Sequence, residues 1–264
     1  MQKKSISQLF DLSSKTAIVT GGAMGIGLSI AYRLGEAGAN ILIVDIDEKT
    51  GSESLSELIN LGFNASFLKA DVSLENDMKN IVDFCLSKYG GIDILVNNAG
   101  IYPVSKLSNL TNEFYEKVMS INLKSAIFLT KLVSEVMKKQ GGGGKIINIT
   151  SIDALHPSGT GLSIYDASKH AMWGFTKNIA LELSEYNILV NSIAPGSINT
   201  PGTGYGKNTT PELEKIKNKF IERIPMKRSG DPDEIGKVAL FLASDLSSYM
   251  TGSQLIVDGG VLLS

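Results

Sequence analysis

The sequence predicts an α/β fold in which one doubly wound parallel sheet of about seven strands carries helices on both faces. Three observations predict it. Short β-branched runs alternate with longer amphipathic ones along the 264 residues. Some of the short runs are apolar throughout, as Ile41, Leu42, Ile43 and Val44 are, which is expected when both faces of a parallel sheet are covered. A glycine-rich turn joins the first short run to the first helical pattern.

Taken in order, the runs at 16–20, 41–45, 66–71, 94–97, 145–150, 188–194 and 255–257 read as strands. Helical patterns lie between them near 25–37, 49–61, 74–89, 112–139, 163–184 and 232–243. Residues 141–144 are glycines and fit a flexible helix-to-strand connection. The alternation breaks at about 200–225, where Pro201, Gly202, Gly204 and Gly206 precede a helical stretch; an insertion near a strand end reads as a substrate lid. The whole chain, 1–264, is expected to form one domain.

Composition narrows the function classes. Lys and Arg number 25 against 27 Asp and Glu, a net charge of −2, so there is no electrostatic footprint for a nucleic-acid backbone. Lys3 and Lys4 are not followed by an apolar signal region, and no later stretch offers the unbroken apolar run that crosses a membrane, so a soluble, cytoplasmic protein is expected. Cys85 is the single cysteine, which excludes an internal disulfide, and its helical context points to packing. Two histidines, His156 and His170, are too few for the usual metal clusters, so no metal is expected.

The first strand runs into Thr20, Gly21, Gly22, Ala23, Met24, Gly25, Ile26 and Gly27, and a helix follows at once. Glycines let the backbone turn sharply, admit a pyrophosphate close to the main chain and set it against the positive end of a helix dipole. Asp45 closes the second strand, where a carboxylate can accept hydrogen bonds from the adenosine ribose; it can equally be a loop or capping carboxylate. Beside a cofactor it would repel a 2′-phosphate by about 4 kcal/mol at 4 Å and an effective dielectric of 20. Neither Met24 nor Ile46 supplies a cation to offset that repulsion, so the expected cofactor is NAD.

Tyr165 and Lys169 stand four apart in a helical segment and share one face. Lowering a phenol by roughly three pKa units takes about 4 kcal/mol, of which one nearby cation supplies a large part and an oxidised nicotinamide ring the rest. The pair is therefore a candidate general acid/base. Ser151 follows the fifth strand, at the carboxyl edge where open α/β sheets bind ligands, and its hydroxyl could hold a substrate oxygen. Thr150 competes for that role, and either can be a turn residue.

These residues resemble the short-chain dehydrogenase/reductase family from about Lys15 to Gly260. The pieces that carry the resemblance are the turn from Thr20 to Gly27, Asp71 with Val72, the run Asn97, Asn98, Ala99, Gly100, then Asn122, Ser151, Tyr165 with Lys169, and Pro195 with Gly196. The resemblance implies a Rossmann-like domain in which Ser151 orients the substrate oxygen, Tyr165 exchanges its proton, and Lys169 tunes Tyr165 and binds the nicotinamide ribose. It further implies that Asn122 holds a water in the proton path and that Asp71 and Val72 flank the adenine. Asn98, Ala99 and Gly100 would line the cofactor groove, with Ile198 and Thr200 at the nicotinamide amide and phosphates. A homotetramer built through the helices at 112–139 and 163–184 is implied as well.

There is one departure: the interval from Ser151 to Tyr165 is one longer than the family more often shows, with the extra residue expected around 158–161. Within that loop Asp153 and His156 are expected to face the pocket and read substrate hydroxyls, whereas His170 and Trp173 read as structural. The function expected is NAD-dependent hydride transfer between nicotinamide and a secondary alcohol or ketone, with a sugar, polyol or cyclic diol as the substrate guess from the polar residues Asp153, His156, Asn208 and Thr209. A 3-oxoacyl thioester reductase is the enzymatic alternative. A non-catalytic NAD-binding scaffold or regulator should have lost one of Ser151, Tyr165 or Lys169, and this chain retains all three.

Overall fold

In the computed structural model, seven strands form one sheet: β1 Thr16–Thr20, β2 Asn40–Asp45, β3 Ala65–Lys69, β4 Ile94–Asn97, β5 Gly144–Ile149, β6 Ile188–Pro195 and β7 Gln254–Val257. The structure describes residues 3–157, 159–203 and 218–264. All pairings are parallel, in the order β3-β2-β1-β4-β5-β6-β7, so the strand order reverses between β1 and β4. Helices among the described residues include α1 Ile6–Phe10, α2 Gly25–Glu36, α3 Glu48–Asn60, α4 Glu75–Tyr89, α5 Asn112–Met119, α6 Ser125–Gln140, α7 Ser163–Leu183 and α8 Pro232–Ala243.

Strand alternation divides the core. Ala17, Val19, Ile41, Ile43 and Val96 meet Ile30 and Leu34 of α2, Leu58 of α3 and Ile235, Ala239 and Leu242 of α8. Ile18, Leu42, Leu95, Ile146 and Val190 face the other way, onto Ile81 and Cys85 of α4, Leu129 and Val133 of α6 and Ala180 of α7. Both faces are thus covered, which is why the strands are apolar without alternation. Local signals fix the helix ends: Asp47 caps α3, Asp231 and Glu234 form a capping box before Pro232 on α8, and Gly90 and Gly141 end α4 and α6 in the left-handed conformation. Arg33 of α2 forks onto Asp233 of α8 at 2.5 and 2.7 Å and ties those two helices together.

Three sequence expectations are corrected. The single helix expected at 112–139 is interrupted by a π turn at Ser120–Lys124. The extra residue in that turn turns Asn122 inward, where its side chain accepts from Ile101 N–H at 2.8 Å and donates to Ile101 C=O at 3.0 Å. The third strand ends at Lys69, so Asp71 and Val72 lie in the loop beyond it. Helix α1 was not expected; Ser5 and Gln8 form its capping box. Of the lid expected at about 200–225, residues 204–217, with Asn208 and Thr209, lie outside the described residues.

Candidate active site

The glycine-rich turn leaves β1 at the edge where the strand order reverses, and its shape excludes side chains. Gly21 and Gly25 have φ of +60° and +56°. A Cβ on Gly21 would lie 2.9 Å from the Ala99 Cα, and one on Gly27 would overlap the Gly21 carbonyl oxygen. Gly22 is as constrained, with a Cβ position 2.8 Å from the Val19 carbonyl oxygen. Met24 opens α2 without a side-chain cap and no acidic residue occupies the first turn. The first N–H groups of α2 therefore keep donors for an anion beside a cradle that any Cβ would fill, and these residues fit a dinucleotide pyrophosphate.

Neighbouring segments hold the cradle in place. Thr20 Oγ1 accepts from the N–H groups of Asn98 and Ala99, both at 3.1 Å, while Asn98 Nδ2 donates to the carbonyls of Thr20 and Gly21, both at 2.9 Å. The Asn98 side chain is thus turned into the turn itself, as its support, and Ala99 and Gly100 continue along the groove. Thr200 closes the other side: a Cβ on Gly25 would stand 3.2 Å from the Thr200 Cβ. Ile198 is buried and bridges Gly230, and Gly196 donates to the Val257 carbonyl at 2.9 Å directly after Pro195.

Asp45 ends β2 beside the same turn. Its carboxylate accepts from Ala23 N–H and Asp47 N–H, each at 3.1 Å, so it braces the turn as well as offering oxygens outward. Ile46 is exposed, and the nearby Lys69 pairs with Glu48 at 2.9 Å. Asp71 accepts from Ser73 N–H at 2.9 Å while its own N–H donates to Asp77, and Val72 is buried.

At the end of β5 the structure separates two neighbours that the sequence left in competition. Thr150 Oγ1 lies 2.8 Å from both the Ile193 carbonyl oxygen and Gln254 Oε1 and is committed to the sheet edge. Ser151 points the other way. Its Oγ accepts from Asp153 N–H at 3.1 Å, donates to Asp153 Oδ2 at 3.0 Å and hydrogen-bonds Tyr165. Lys169 is buried, donates from Nζ to the Ile149 carbonyl at 2.8 Å, and lies 5.7 Å from the Tyr165 ring centroid. Tyr102 meets Tyr165 edge-on, with centroids 4.6 Å apart. Asn122 joins this cluster through Ser168, whose Oγ accepts at 3.2 Å.

Burial dominates the electrostatics of this cluster. In the protein alone burial raises the Tyr165 phenol, and the Ser151 hydrogen bond offsets only part of that. Burial also pushes Lys169 down to about 8, with Asp153 opposing. Desolvation penalises both charged forms, so one ammonium does not make the phenolate. Asp153 is pushed up to about 6, chiefly by burial, against the Ser151 hydrogen bond. Its carboxyl is turned onto Ser151, whose Oγ donates to it at 3.0 Å. His156 is exposed, with Nδ1 3.0 Å from the Pro157 carbonyl oxygen, so the loop holds it outward. The longer loop docks through Gly161, whose φ is +90° and whose carbonyl accepts from Ser105 N–H at 2.9 Å. His170 is exposed and Trp173 half-buried, with Lys177 Nζ 5.0 Å from the indole centroid. Among the described residues no group of acidic, His or Cys side chains could hold a metal, and no helix is long and apolar enough to cross a membrane.

Residues 21–262 match the family model described as enoyl-(acyl carrier protein) reductase. The chain is 43% identical over 255 residues to a 3-oxoacyl-[acyl-carrier-protein] reductase of Chlamydia trachomatis, covering 95% of this chain and 98% of that one. The structure of a short-chain type dehydrogenase/reductase from Mycobacterium marinum superposes with a TM-score of 0.92 at 32% identity, covering 98% of this chain and all of that one. The chain belongs to the short-chain dehydrogenase/reductase family. As a short-chain dehydrogenase/reductase it is an oxidoreductase with the seven-stranded Rossmann-like fold of its neighbours. Another such neighbour is a 7α-hydroxysteroid dehydrogenase complexed with NADH and 7-oxo glycochenodeoxycholic acid, with a TM-score of 0.89 at 35% identity over 97% of this chain and 98% of that one.

Proposed function

We propose that the chain is an NAD-dependent dehydrogenase that interconverts a secondary alcohol and a ketone. The observation that carries the reading is the convergence of Ser151, Tyr165 and Lys169 at the carboxyl end of β5, on the sheet edge that also holds the glycine cradle. In this reading Gly21, Gly25, Gly27 and the start of α2 hold the pyrophosphate, Asp45 the adenosine ribose and Lys169 the nicotinamide ribose. When bound, the oxidised nicotinamide accepts the carbon-bound hydrogen as hydride and adds a positive charge beside Tyr165. Tyr165 takes the hydroxyl proton in oxidation and returns it in reduction, while Ser151 holds the substrate oxygen against developing negative charge. Most of the catalytic effect is positioning.

NAD is proposed over NADP because Asp45 and Asp47 put negative charge where a 2′-phosphate would lie, and Lys69 and Glu48 are paired with each other. The substrate proposed is a sugar, polyol or cyclic diol. Tyr102, half-exposed and edge-on to Tyr165, suits the ring-bearing members of that set. A second reading, reduction of a 3-oxoacyl thioester, is favoured by the 43% identity to the chlamydial reductase. A homotetramer is proposed on exposed apolar side chains of the long helices, Phe128 on α6 and Leu181 on α7, and light scattering checks it. The deciding experiment is a panel of secondary alcohols, ketones and a 3-oxoacyl thioester followed by nicotinamide absorbance with both cofactors. Turnover of cyclic alcohols with NAD supports the first reading; turnover of the thioester alone replaces it with the second, and no turnover of any compound removes both.

A further inference from the structure

We propose that Asp153 is a positioning residue that controls whether Ser151 has a hydrogen to give the substrate oxygen. The inference rests on the role proposed above for Ser151, and it follows from counting what one hydroxyl can do.

A serine hydroxyl has one hydrogen and two lone pairs. Asp153 N–H occupies one lone pair at 3.1 Å, and the Asp153 carboxylate takes the only hydrogen, at 3.0 Å to Oδ2. In that state Ser151 can only accept, whereas a ketone oxygen gaining negative charge needs a donor. A protonated Asp153 reverses the side-chain bond, with its O–H donating to Ser151 Oγ. Both lone pairs are then used, and the Ser151 hydrogen is released toward Tyr165 and the substrate oxygen.

The surroundings make that protonation accessible. Asp153 is 9% exposed, and burial outweighs its hydrogen bond and pushes it up to about 6. On its own loop it is hydrogen-bonded by Ser151, and the titratable group facing it is His156, which lowers it. From α7, Asp166 raises it and Lys169 lowers it, while Tyr165 feels its charge. Strand β6, which also packs against this turn, contributes no titratable side chain. Because Asp153 acts through Ser151 in a transition state common to both directions, it changes oxidation and reduction together and leaves the reaction equilibrium untouched.

The test combines kinetics with a titration that needs no turnover. For ketone reduction, kcat/KM of the wild-type chain should fall about tenfold from about pH 5 to about pH 7 as Asp153 ionises. Asp153→Asn, whose amide N–H donates to Ser151 at every pH, should lose that limb and exceed wild type at about pH 7 by about tenfold. A variant that keeps the limb, or that is slowed by one factor at all pH values, overturns the proposal. In the protein without cofactor, the Asp153 carboxyl carbon followed by NMR should titrate near 6 in wild type, and its midpoint should move up in Ser151→Ala, which removes the bond favouring the carboxylate. A midpoint unmoved by Ser151→Ala overturns the coupling even if Asp153→Asn does not fold. Failure of the function itself looks different: the wild-type chain then reduces no ketone with either cofactor, while the NMR titration still decides whether Asp153 and Ser151 are coupled.

Discussion

The Lys169 ammonium lies 5.7 Å from the centroid of the Tyr165 ring, yet the phenol beside it is raised, because burial penalises its charged form just as it lowers Lys169. The protein alone therefore keeps Tyr165 protonated, and a second positive charge is needed to ionise it near neutral pH. Adding NAD should move the Tyr165 ionisation down by at least about one pKa unit. Ultraviolet difference titration reads this as phenolate absorbance that Tyr165→Phe removes. The same variant should lose turnover by at least about a hundredfold while binding NAD by calorimetry much as wild type does. Activity kept in Tyr165→Phe would assign the proton to another group.

The sequence made the pair visible because four-residue spacing on a helix fixes a shared face, and made the sheet visible because a strand covered on both faces is apolar throughout. It hid what depends on long-range burial. The desolvation that raises Tyr165 and Asp153 comes from the tertiary fold around them, and no spacing rule encodes that. The π turn was hidden because the apolar pattern of 112–139 runs through it with one residue added, and the bond that explains it goes to Ile101, 21 positions away. Asn98 shows the same limit: its position in the motif was readable, but the inward turn of its amide onto Gly21 was not. His156 looked like a pocket residue because it follows Ser151 closely, and the loop after Ala154 carries it to the surface.

Cofactor choice tests Asp45. NAD should be preferred over NADP by well over about tenfold, since like charges at 4 Å and an effective dielectric of 20 repel by about 4 kcal/mol before solvent screening. Asp45→Asn keeps an acceptor for Ala23 N–H and removes the charge. It should narrow the ratio of kcat/KM values by about tenfold or more with little loss of stability. An unchanged ratio would move the discrimination elsewhere.

Two glycine substitutions separate cradle from helix. Gly27→Ala forces a Cβ into the Gly21 carbonyl and should cost roughly 1–3 kcal/mol of stability. It should also weaken NAD binding by more than about tenfold, because the turn must open. Gly174→Ala in the exposed face of α7 has nothing within 4 Å of its new Cβ and should stabilise by about 0.5–1 kcal/mol without affecting binding. Denaturant unfolding and calorimetry on both variants check the pair; equal effects would mean that the turn yields more readily than its contacts imply.

Asp153 also makes a prediction about stability against pH. Its folded-state pKa is raised, to about 6 from an ordinary 3.8, so the folded protein binds this proton more tightly than the unfolded chain does. The stability it contributes is therefore complete below about pH 4 and is lost as pH rises through about 6, a change of roughly 2–3 kcal/mol. Asp153→Asn removes the titration, so unfolding free energies measured at about pH 4 and about pH 8 should converge toward each other relative to wild type, with the variant gaining most at the higher pH. A variant that loses stability equally at both values would show that the buried carboxylate costs nothing when ionised, and would require a counter-charge stronger than Lys169 beside it.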